Sequence, residues 1–415
     1  MRVLVVGTNR MCHDRLFELG HELVLFVPKG RARPGDAVGR YEHVVILDDD
    51  APIATWVDIA GVLHRAAPFD AVAAFNEHTY PIVAAVSERF DIQTVVDIEL
   101  FGRVLDKATM RQILEKHEVP GCRHELARGR TAVVAAIDRV GLPCIVKPAA
   151  GEASVGVTRV DTPADIDTAL LRVGADALER GVLVEEFLVG EEFSVEGISV
   201  GTTHHLVAIT KKFKDDTTFV ERGHLVPAPL DAPTRESIIA YVRRALDALS
   251  FHDCPSHTEI ILTAQGPRIV ETHNRIGGDS IMDLVQLATG VDLNDLVARQ
   301  GIGTDVTPLL PDPVPHRRNA VIWYADPAGP PTNTLVEVRN VDQVRDRPTV
   351  MRVDLLRQPG SPQTEVRQSG DRSALVITVG DTPDQALLDA RDAVRTLEFV
   401  YVWRPGAMAP SEPSH

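Results

Sequence analysis

One short segment places a carboxylate, an imidazole and a guanidinium at alternating positions. In GPRIVETHNRIGGD, Glu271, His273 and Arg275 are two residues apart, and Gly277 and Gly278 follow them. Successive side chains of a β-strand point to opposite faces, so side chains two residues apart project from the same face. Because the preceding Arg-Ile-Val is β-prone, the segment predicts a charged cluster on one face of a strand.

A second glutamate is predicted to lie opposite this cluster. The segment HTEIILTAQGPRIVETH predicts a β-hairpin with its turn near residue 265, which carries Glu259 on one strand and Glu271 on the other. Adjacent carboxylates destabilise a sheet unless a positive charge lies between them. Oxygen ligands alone favour Mg²⁺ or Mn²⁺, and the alternative is that Arg268 or Arg275 neutralises the two glutamates.

Zinc is a different interpretation of the same segment. His257 and Glu259 are two residues apart, as are Glu271 and His273, so two imidazoles would lie near two carboxylates. The zinc deaminase pattern requires a Cys-x-x-Cys pair, and the sequence has Cys-Pro-Ser-His from Cys254 instead. The sequence therefore favours Mg²⁺ or Mn²⁺ over zinc.

A lysine followed by a glycine-containing loop could bind phosphate. IVKPAAGEASVGV predicts a strand ending at Lys147 and a loop, residues 149–156, whose backbone amides could surround an anion. The order GxxxxGK[ST] of a Walker P-loop is missing, and a solvated lysine beside an ordinary loop is the alternative. Further on, Glu185 ends an apolar strand and Glu192 begins the next one. These positions would suit binding of an adenine amino group and a ribose diol. The alternative is that both glutamates are solvated strand ends.

The elements that must position these residues alternate between strands and helices. VLVVG, ELVLFVP, HVVILD and DAVAAF predict four strands near the spacing of β-α-β units, which indicates a parallel sheet covered by helices. The turn after VLVVG lacks GxGxxG, so we expect no dinucleotide site in this region. After the proline-rich segment 307–318, NAVIWYAD, TLVEVRN and ALVITVG predict a small α+β unit with a helix from about Thr382.

Composition and charge exclude several classes of function. The chain has 415 residues, of which 44% are hydrophobic and 25% charged, with a formal net charge of −16, which is typical of a soluble multidomain protein. No basic run points to nucleic acid, and no apolar stretch approaches the roughly 20 residues of a membrane span. The four cysteines form no Cys-x-x-Cys pair, so we expect reduced thiols and a cytoplasmic protein.

In their order along the chain, the motifs resemble those of the ATP-grasp carboxylate–amine ligases, and most of all the dipeptide-forming L-amino-acid ligases. They are Asp106-Lys107, Val146-Lys147-Pro148, the glycine-containing loop, VEEFLVGEEFSV from Val184, Glu259, and Glu271-x-x-x-Arg275-x-Gly277-Gly278. The resemblance implies an α/β protein with the ATP-grasp fold. Its parts would be an N-terminal Rossmann-like pre-ATP-grasp domain (1–105), a small lid subdomain (106–186), a large subdomain with the metal and catalytic residues (187–305), and a small C-terminal α+β domain (306–415) with a disordered tail.

The resemblance also implies ATP and Mg²⁺ (or Mn²⁺) as cofactors and a role for individual residues. The cofactor-binding residues would be Lys107 and Lys147 at the phosphates, Ser154 and Gly156 in a closing loop, Glu185, Glu186, Phe187 and Leu188 at the adenine, and Glu192 at the ribose. The metal ligands would be Glu259 and Glu271. Arg275 and Lys147 would be catalytic, and the substrate residues would be Arg275, Gly277, Gly278, His224 and His273.

One position departs from the family pattern. The family usually has Glu-x-Asn-x-Arg, in which the asparagine is a metal ligand, whereas His273 stands there and Asn274 follows. Imidazole is a poor ligand for Mg²⁺, so either the two glutamates, water and phosphate hold the metal without it, or His273 has a substrate role. Two further residues have two interpretations each. Glu77 either faces the substrate cleft or is an ordinary carboxylate at the start of a helix. Lys212 either contacts a phosphate or carboxylate or is solvated.

The resemblance implies an ATP-dependent ligase that forms an amide or peptide bond between amino-acid-like substrates through an acyl phosphate, releasing ADP and phosphate. Its partners would be small-molecule carboxylates and amines, and the chain would form a homodimer without nucleic-acid or membrane partners. The alternatives are an ATP-grasp carboxylase of purine or biotin type and a non-catalytic ATP-binding sensor. Loss of Glu259, Glu271 or Lys147 would favour the sensor, and all three are present.

Overall fold

The computed structural model describes residues 1–37, 39–149, 156–327, 329–330 and 332–403. Within these residues the strands form sheets of four, four and eight strands and one two-stranded ribbon. Ser154, with most of the predicted phosphate loop, lies outside the described residues, as does the tail predicted to be disordered after Pro405.

The first sheet is parallel and carries the N-terminal part of the chain. Its strands are β1 (Arg2–Val6), β2 (Glu22–Pro28), β3 (His43–Leu47) and β4 (Ala71–Ala74). They are hydrogen-bonded in the order β3-β2-β1-β4. The accompanying helices are α1 (Arg10–Glu18), α2 (Ile53–Ala66), α3 (Tyr80–Phe90) and α4 (Ile98–Leu105). The predicted parallel sheet is confirmed, and β4 is buried throughout, as expected of a strand covered on both faces.

The second sheet belongs to a small unit with its own hydrophobic core. Its helices are α6 (Arg130–Val140), α7 (Ile166–Val173) and α8 (Ala175–Arg180), and α5 (Lys107–Lys116) precedes them in the chain. Its strands are β5 (His124–Ala127), β6 (Cys144–Pro148), β7 (Thr158–Val160) and β8 (Val182–Glu186), in the antiparallel order β5-β8-β6-β7. Apolar side chains of the four strands pack against α6 and α7 in a cluster distinct from the other cores. The four strands are called the lid sheet below, and β6 and β8 are its two inner strands.

The third sheet has eight antiparallel strands and joins the central and C-terminal parts of the chain. The strands of these parts are β9 (Glu191–Val200), β10 (Thr203–Lys214), β11 (Glu221–Val226), β12 (Pro255–Thr263), β13 (Gly266–His273), β14 (Asn319–Ala325), β15 (Asn333–Arg339), β16 (Val350–Leu355), β17 (Ala374–Gly380) and β18 (Glu398–Trp403). The order in the sheet is β13-β12-β9-β10-β11-β14-β17-β16, and β15 pairs with β18 in the ribbon. Because β11 pairs with β14, the sheet is continuous across the boundary expected at residue 305.

Five helices cover the large sheet and connect it to the rest of the molecule. They are α9 (Ala232–Leu249), α10 (Ile281–Thr289), α11 (Leu293–Gly301), α12 (Val341–Arg345) and α13 (Pro383–Thr396). Helix α9 packs with α4 and α5 against the central strands in one core. Helices α10 and α11 lie in another core that combines side chains of the parallel sheet, the central strands and β14 and β17. The parallel sheet and the large sheet therefore share a continuous apolar interface.

Several predictions from sequence can be compared directly with these elements. The hairpin of β12 and β13 is confirmed, and so is the C-terminal helix, which begins at Pro383 after the N-cap Thr382. Strands β16 and β18 were not predicted. All four cysteines are buried and free, as expected of reduced thiols. None of the described helices is long and apolar enough to cross a membrane.

Candidate functional site

The two glutamates of the hairpin lie directly opposite each other. Glu259 of β12 pairs with Glu271 of β13 in the register of the sheet, and both side chains line a cavity of about 490 Å³ that lies against the lid sheet. Lys212 Nζ lies 2.5 Å from Glu259 Oε1, and Lys107 Nζ lies 3.2 Å from Glu271 Oε2. The predicted carboxylate pair is therefore present, with a lysine beside each member.

These ion pairs differ from the alternative drawn from the sequence, in which Arg268 or Arg275 neutralises the two glutamates. Arg268 donates to backbone carbonyls of its own turn, and Arg275 pairs with Glu77. Lysines, rather than these arginines, neutralise the two hairpin glutamates. Lys212, for which a solvated position was one interpretation, is only 2% exposed.

Both hairpin carboxylates are held in the ionised form. Burial would raise the pKa of Glu259, but Lys212 and His257 outweigh it and hold the pKa well below its usual range. Burial would likewise raise the pKa of Glu271, and His273 and Lys107 lower it well below that range. Two ionised carboxylates on one side of a cavity attract a cation.

The same cavity collects most of the residues predicted to bind a nucleotide. They are Lys107, Lys147, Glu185, Glu186, Phe187, Leu188 and Glu192. Apolar side chains form another part of its wall, namely those of Ile145, Phe187, Leu188, Phe219, Ile261 and Val270. The guanidinium of Arg159 lies 4.0 Å from the centre of the Phe187 ring. An apolar wall with convergent charges is typical of a ligand site.

Two of these residues bind each other rather than facing the cavity independently. Lys147 Nζ lies 2.6 Å from Glu185 Oε2, and Arg111 Nε lies 2.7 Å from Glu185 Oε1. Arg111 also donates to the carbonyl oxygens of Ile269 and Val270 on β13. Burial would raise the pKa of Glu185, but Arg111 and Lys147 lower it to about 2. Arg111 therefore joins the lid sheet to the hairpin, and sequence reasoning missed it.

Two further acidic residues of the cavity, Glu186 and Glu192, are also paired. Glu186 accepts a hydrogen bond from the largely exposed Arg123 at 2.8 Å. Glu192 Oε1 lies 2.5 Å from Lys214 Nζ and 3.2 Å from Lys212 Nζ. Glu192, predicted at the ribose, thus shares Lys212 with Glu259, so these two carboxylates are electrostatically coupled.

A glutamate that follows the parallel sheet connects Arg275 to the hairpin. Glu77 follows β4 in a short 3₁₀ turn (Glu77–Thr79) and is 3% exposed. Its Oε1 accepts from Arg275 Nε at 2.7 Å, and its Oε2 lies 3.2 Å from His273 Nδ1. His273 Nε2 in turn lies 3.3 Å from Glu271 Oε1. The charged cluster predicted from alternate positions is therefore present, but Arg275 lies beyond the end of β13 and a distant glutamate completes the cluster.

A matching arrangement lies behind the other hairpin glutamate. His257 Nδ1 lies 2.8 Å from Glu196 Oε2, and its Nε2 lies 3.3 Å from Glu259 Oε1. Burial would lower the pKa of His257, but Glu196 and Glu259 raise it to about 9. The rings of His257 and His273 are stacked, with centroids 6.3 Å apart. Glu196 was not among the predicted site residues. It lies two residues after Ser194 on β9, so the two side chains share one face of that strand.

A second cavity of about 890 Å³ opens beside the first and shares Val157 and Asp215 with its lining. The predicted loop residue Gly156 lines this second cavity. Its charged lining residues come from the lid sheet, the central strands and the C-terminal part, and they are Arg172, Asp215, Glu221, Arg222, Asp326, Glu365, Arg367, Asp371 and Arg372. This chamber is strongly polar and lies next to the cavity that holds the carboxylate pair.

The segment after the two glycines is fixed by the C-terminal part of the chain. Arg372 Nη1 and Nη2 lie 2.8 and 2.6 Å from the two carboxylate oxygens of Asp279, and the guanidinium lies 3.7 Å from the centre of the Tyr324 ring. His224 Nε2 lies 3.3 Å from Asp279 Oδ2, and the side chain of His224 is 1% exposed. Asp279 has φ of 52°, a left-handed conformation that is uncommon outside glycine. The predicted substrate residue His224 therefore contacts Asp279, whose partner Arg372 lines the second cavity.

The residues present fit a hard divalent cation. Glu259 and Glu271 offer only oxygen donors, which suits Mg²⁺ or Mn²⁺. Among the described residues no group of three His, Cys, Asp or Glu side chains is arranged to hold a metal ion. A cation here would therefore complete its coordination with water and phosphate, as Mg²⁺ does in nucleotide sites.

Two family models match the chain. An ATP-grasp domain matches residues 140–283, and the L-amino acid ligase C-terminal domain 2 matches residues 330–402. The first match contains the lid strands β6–β8 and the hairpin, and the second contains Arg372.

Two curated relatives are ligases by name. Alanine–anticapsin ligase of Bacillus subtilis is 25% identical over 251 residues, which are 55% of this chain and 53% of that protein. D-alanine–D-alanine ligase of Frankia casuarinae is 30% identical over 217 residues, which are 47% of this chain and 54% of that protein. The chain thus spans about half the length of these relatives.

A solved structure matches nearly the whole chain. The L-amino acid ligase from Bacillus licheniformis superposes with a TM-score of 0.84 at 22% identity, covering 97% of this chain and 98% of that one. The likeness shows a common fold. The predicted α/β fold class is confirmed.

Proposed function

We propose that this chain, which belongs to the ATP-grasp superfamily of ligases, forms an amide or peptide bond between small amino-acid-like substrates. In the same reaction ATP would be converted to ADP and phosphate. The observation that carries the proposal is the Glu259–Glu271 pair on a cavity that also holds Lys107 and Lys147. Two ionised carboxylates and two lysines at one cavity supply what a nucleoside triphosphate with its metal ion requires.

The nucleotide would lie between the lid sheet and the hairpin. Phe187 and Leu188 offer an apolar surface to the base, while Lys107 and Lys147 would neutralise the phosphate oxygens. Glu259 and Glu271 would hold Mg²⁺ or Mn²⁺, which supplies further neutralisation of phosphate charge when it is bound. Phosphoryl transfer needs positioning and charge neutralisation rather than covalent help from the protein, and these residues provide both.

The chemistry would proceed in two steps. A carboxylate oxygen of the acyl donor attacks the γ-phosphorus of ATP, the bond to the bridging oxygen breaks, and ADP leaves with an acyl phosphate formed. The neutral amine of the second substrate then attacks the carbonyl carbon, phosphate leaves, and the amine loses a proton. Arg275, held by Glu77 at 2.7 Å, would bind the donor carboxylate and then the acyl phosphate.

The second cavity would hold the amino-acid substrates. It shares lining residues with the nucleotide cavity, and its many charged side chains suit zwitterions better than apolar acids. Its lining residue Arg372 binds Asp279, which follows Gly277 and Gly278, the turn that would lie against the reacting carboxylate. Gly156 lines this cavity, and closure of the site would be needed because a reactive acyl phosphate must be kept from water.

Several expectations from sequence remain part of this proposal. They are the four domain ranges, the roles of Ser154 and Gly156, the adenine role of Glu185 and Glu186, the ribose role of Glu192, a homodimer, and a cytoplasmic location, which the four free cysteines support. Light scattering of the purified chain tests the homodimer, with a mass of twice 45.3 kDa as the expected result.

The experiment that tests the function is ATP consumption over a grid of amino-acid pairs with Mg²⁺, with identification of the nucleotide product. ADP and phosphate that appear only with particular pairs, together with a dipeptide by mass spectrometry, are the expected result. Addition of hydroxylamine should trap the acyl donor as a hydroxamate. ATP binding without turnover on any pair would contradict the proposal and favour a sensor.

A further inference from the structure

Each of the two hairpin glutamates contacts a histidine that also contacts a second, buried glutamate, so the same structural unit occurs twice. In each unit a buried carboxylate contacts one nitrogen of an imidazole, and the other nitrogen contacts the hairpin glutamate. One unit is Glu77–His273–Glu271, with separations of 3.2 and 3.3 Å, and the other is Glu196–His257–Glu259, with separations of 2.8 and 3.3 Å. We call these the two carboxylate–imidazole relays.

The relays occupy both nitrogens of each ring. An ionised carboxylate accepts hydrogen bonds and does not donate them. Each ring nitrogen therefore faces a carboxylate oxygen, and neither ring is among the residues that line the cavity of the glutamate pair. His273 stands where the family pattern has a metal-ligating asparagine, but its Nδ1 faces Glu77 and its Nε2 faces Glu271.

The relays are anchored from outside the hairpin. Glu77 comes from the parallel sheet, and its second oxygen holds Arg275. Glu196 comes from the neighbouring strand β9, where it pairs with His257 in the register. A Cβ at Gly277 would lie 2.9 Å from His257 Nδ1 and 3.0 Å from Glu196 Oε2. The glycine turn therefore packs directly against one relay, while Arg275 is bonded to the other.

We propose that His273 and His257 are positioning residues that orient Glu271 and Glu259 toward the divalent cation, and that His273 does so without binding the cation. The inference rests on the proposed function only in that Glu259 and Glu271 hold the metal. Groups that hydrogen-bond a metal ligand fix its direction, and their loss typically weakens metal binding by about 10–100-fold. The same relays hold Arg275 and the glycine turn, so the metal and substrate positions share one support.

The first test measures binding of Mn²⁺ to the full chain in the presence of a non-hydrolysable ATP analogue, by titration with electron paramagnetic resonance. His273→Asn should weaken Mn²⁺ binding by about 10–100-fold, because asparagine is too short to contact both Glu77 and Glu271. The control variant is His117→Asn, at an exposed residue that follows α5, and it should leave the affinity for Mn²⁺ unchanged. Equal or tighter binding by His273→Asn would show that position 273 is a ligand position and would overturn the inference.

The second test uses the unmodified protein and so does not depend on the folding of a variant. Electron spin-echo envelope modulation of bound Mn²⁺ detects nitrogen that is directly coordinated. We expect no coupling from a coordinated imidazole, and a strong one would overturn the inference. Failure of the unmodified chain to bind Mn²⁺ with the ATP analogue would instead overturn the metal site itself, and the inference with it.

A conservative change at the far end of the relay separates positioning from direct contact. Glu77→Gln keeps the size of the side chain but removes the charge that faces His273 and Arg275. We expect weaker Mn²⁺ binding in the same direction as for His273→Asn, although Glu77 lies on the far side of the imidazole from Glu271. Unchanged Mn²⁺ binding in Glu77→Gln would contradict the role of this relay.

Discussion

Lys147 Nζ lies 2.6 Å from Glu185 Oε2, so a lysine predicted at the phosphates and a glutamate predicted at the adenine are bonded to each other. Arg111 occupies the other oxygen of the same carboxylate, and all three side chains are nearly inaccessible to solvent. One buried carboxylate therefore neutralises two buried cations and holds the lysine at the cavity. This arrangement makes the stability of the fold depend on Glu185.

Glu185→Gln should strongly destabilise the protein. The change leaves Arg111 and Lys147 buried without their counter-charge, which typically costs about 3–5 kcal/mol. Glu186→Gln is the matched control, because it removes the next carboxylate along the strand, whose partner Arg123 is 68% exposed, and should cost less than about 1 kcal/mol. Urea denaturation followed by circular dichroism measures both, and equal losses would contradict the account.

Glu259→Gln and Glu271→Gln should each lower kcat by about 10²-fold or more, because each removes charge from the proposed metal position. Lys212 retains Glu192 and Glu221 as partners when Glu259 is changed, so the fold should persist. Steady-state kinetics over a Mg²⁺ series measures the effect. Glu191→Gln, an exposed glutamate on the neighbouring strand β9, is the control, and a loss of the same size in it would refute the assignment.

Asp279→Asn should raise KM for the amino-acid substrates and leave KM for ATP within about twofold. Asparagine accepts the left-handed backbone of this position, so the change isolates the charge that faces Arg372. Loss of a charge-assisted hydrogen bond corresponds to about a tenfold rise in KM or more. Asp283→Asn is the control, since Asp283 makes a similar contact of 2.6 Å with Arg352. A rise in KM for ATP alone would place Asp279 at the nucleotide instead.

The stability of the parallel sheet region should fall in mild acid because of His13. Burial lowers the pKa of this imidazole from 6.5 to about 3, so the unfolded chain takes up a proton at a higher pH than the folded chain does. The free energy of unfolding keeps the full stabilisation from the neutral imidazole above pH 6.5. This stabilisation is lost as the pH falls from 6.5 toward 3, at about 1.4 kcal/mol per pH unit.

His13→Gln removes this titration, so its unfolding free energy should depend less steeply on pH between 6.5 and 5 than that of the unmodified protein. Urea denaturation at several pH values measures the slope. His117→Gln, at an exposed histidine, should keep the original slope. Parallel curves for His13→Gln and the unmodified chain would show that His13 is protonated in the folded state.

The hairpin and its carboxylate pair could be predicted because both depend on local sequence. Apolar alternation on both sides of a short turn sets the register of residues 260–263 against 266–269, and a bulge between Glu259 and Ile260 then shifts the register by one residue, so that Glu259 lies opposite Glu271. The lysine on β6 was predicted for the same reason. In each case the signal lies within about a dozen residues.

The partners of these residues could not be predicted in the same way. Glu77 and Arg275 are 198 residues apart, and Arg111 and Glu185 are 74 apart. In the sequence, Arg111 has the pattern of a solvated helix residue, and its buried partners lie far away in the chain, on β8 and β13. Strand β16 was missed because its alternating VMRVDL is short, and its place beside β17 depends on a long-range pairing.

The most direct test of the central claim follows one oxygen atom. The acyl donor identified in the substrate grid is labelled with ¹⁸O in its carboxylate, and the products are analysed by mass spectrometry after a reaction with ATP, Mg²⁺ and the amine. An acyl phosphate requires one labelled oxygen to appear in the inorganic phosphate and ADP to be the nucleotide product. Label in AMP, or phosphate without label, would contradict the account.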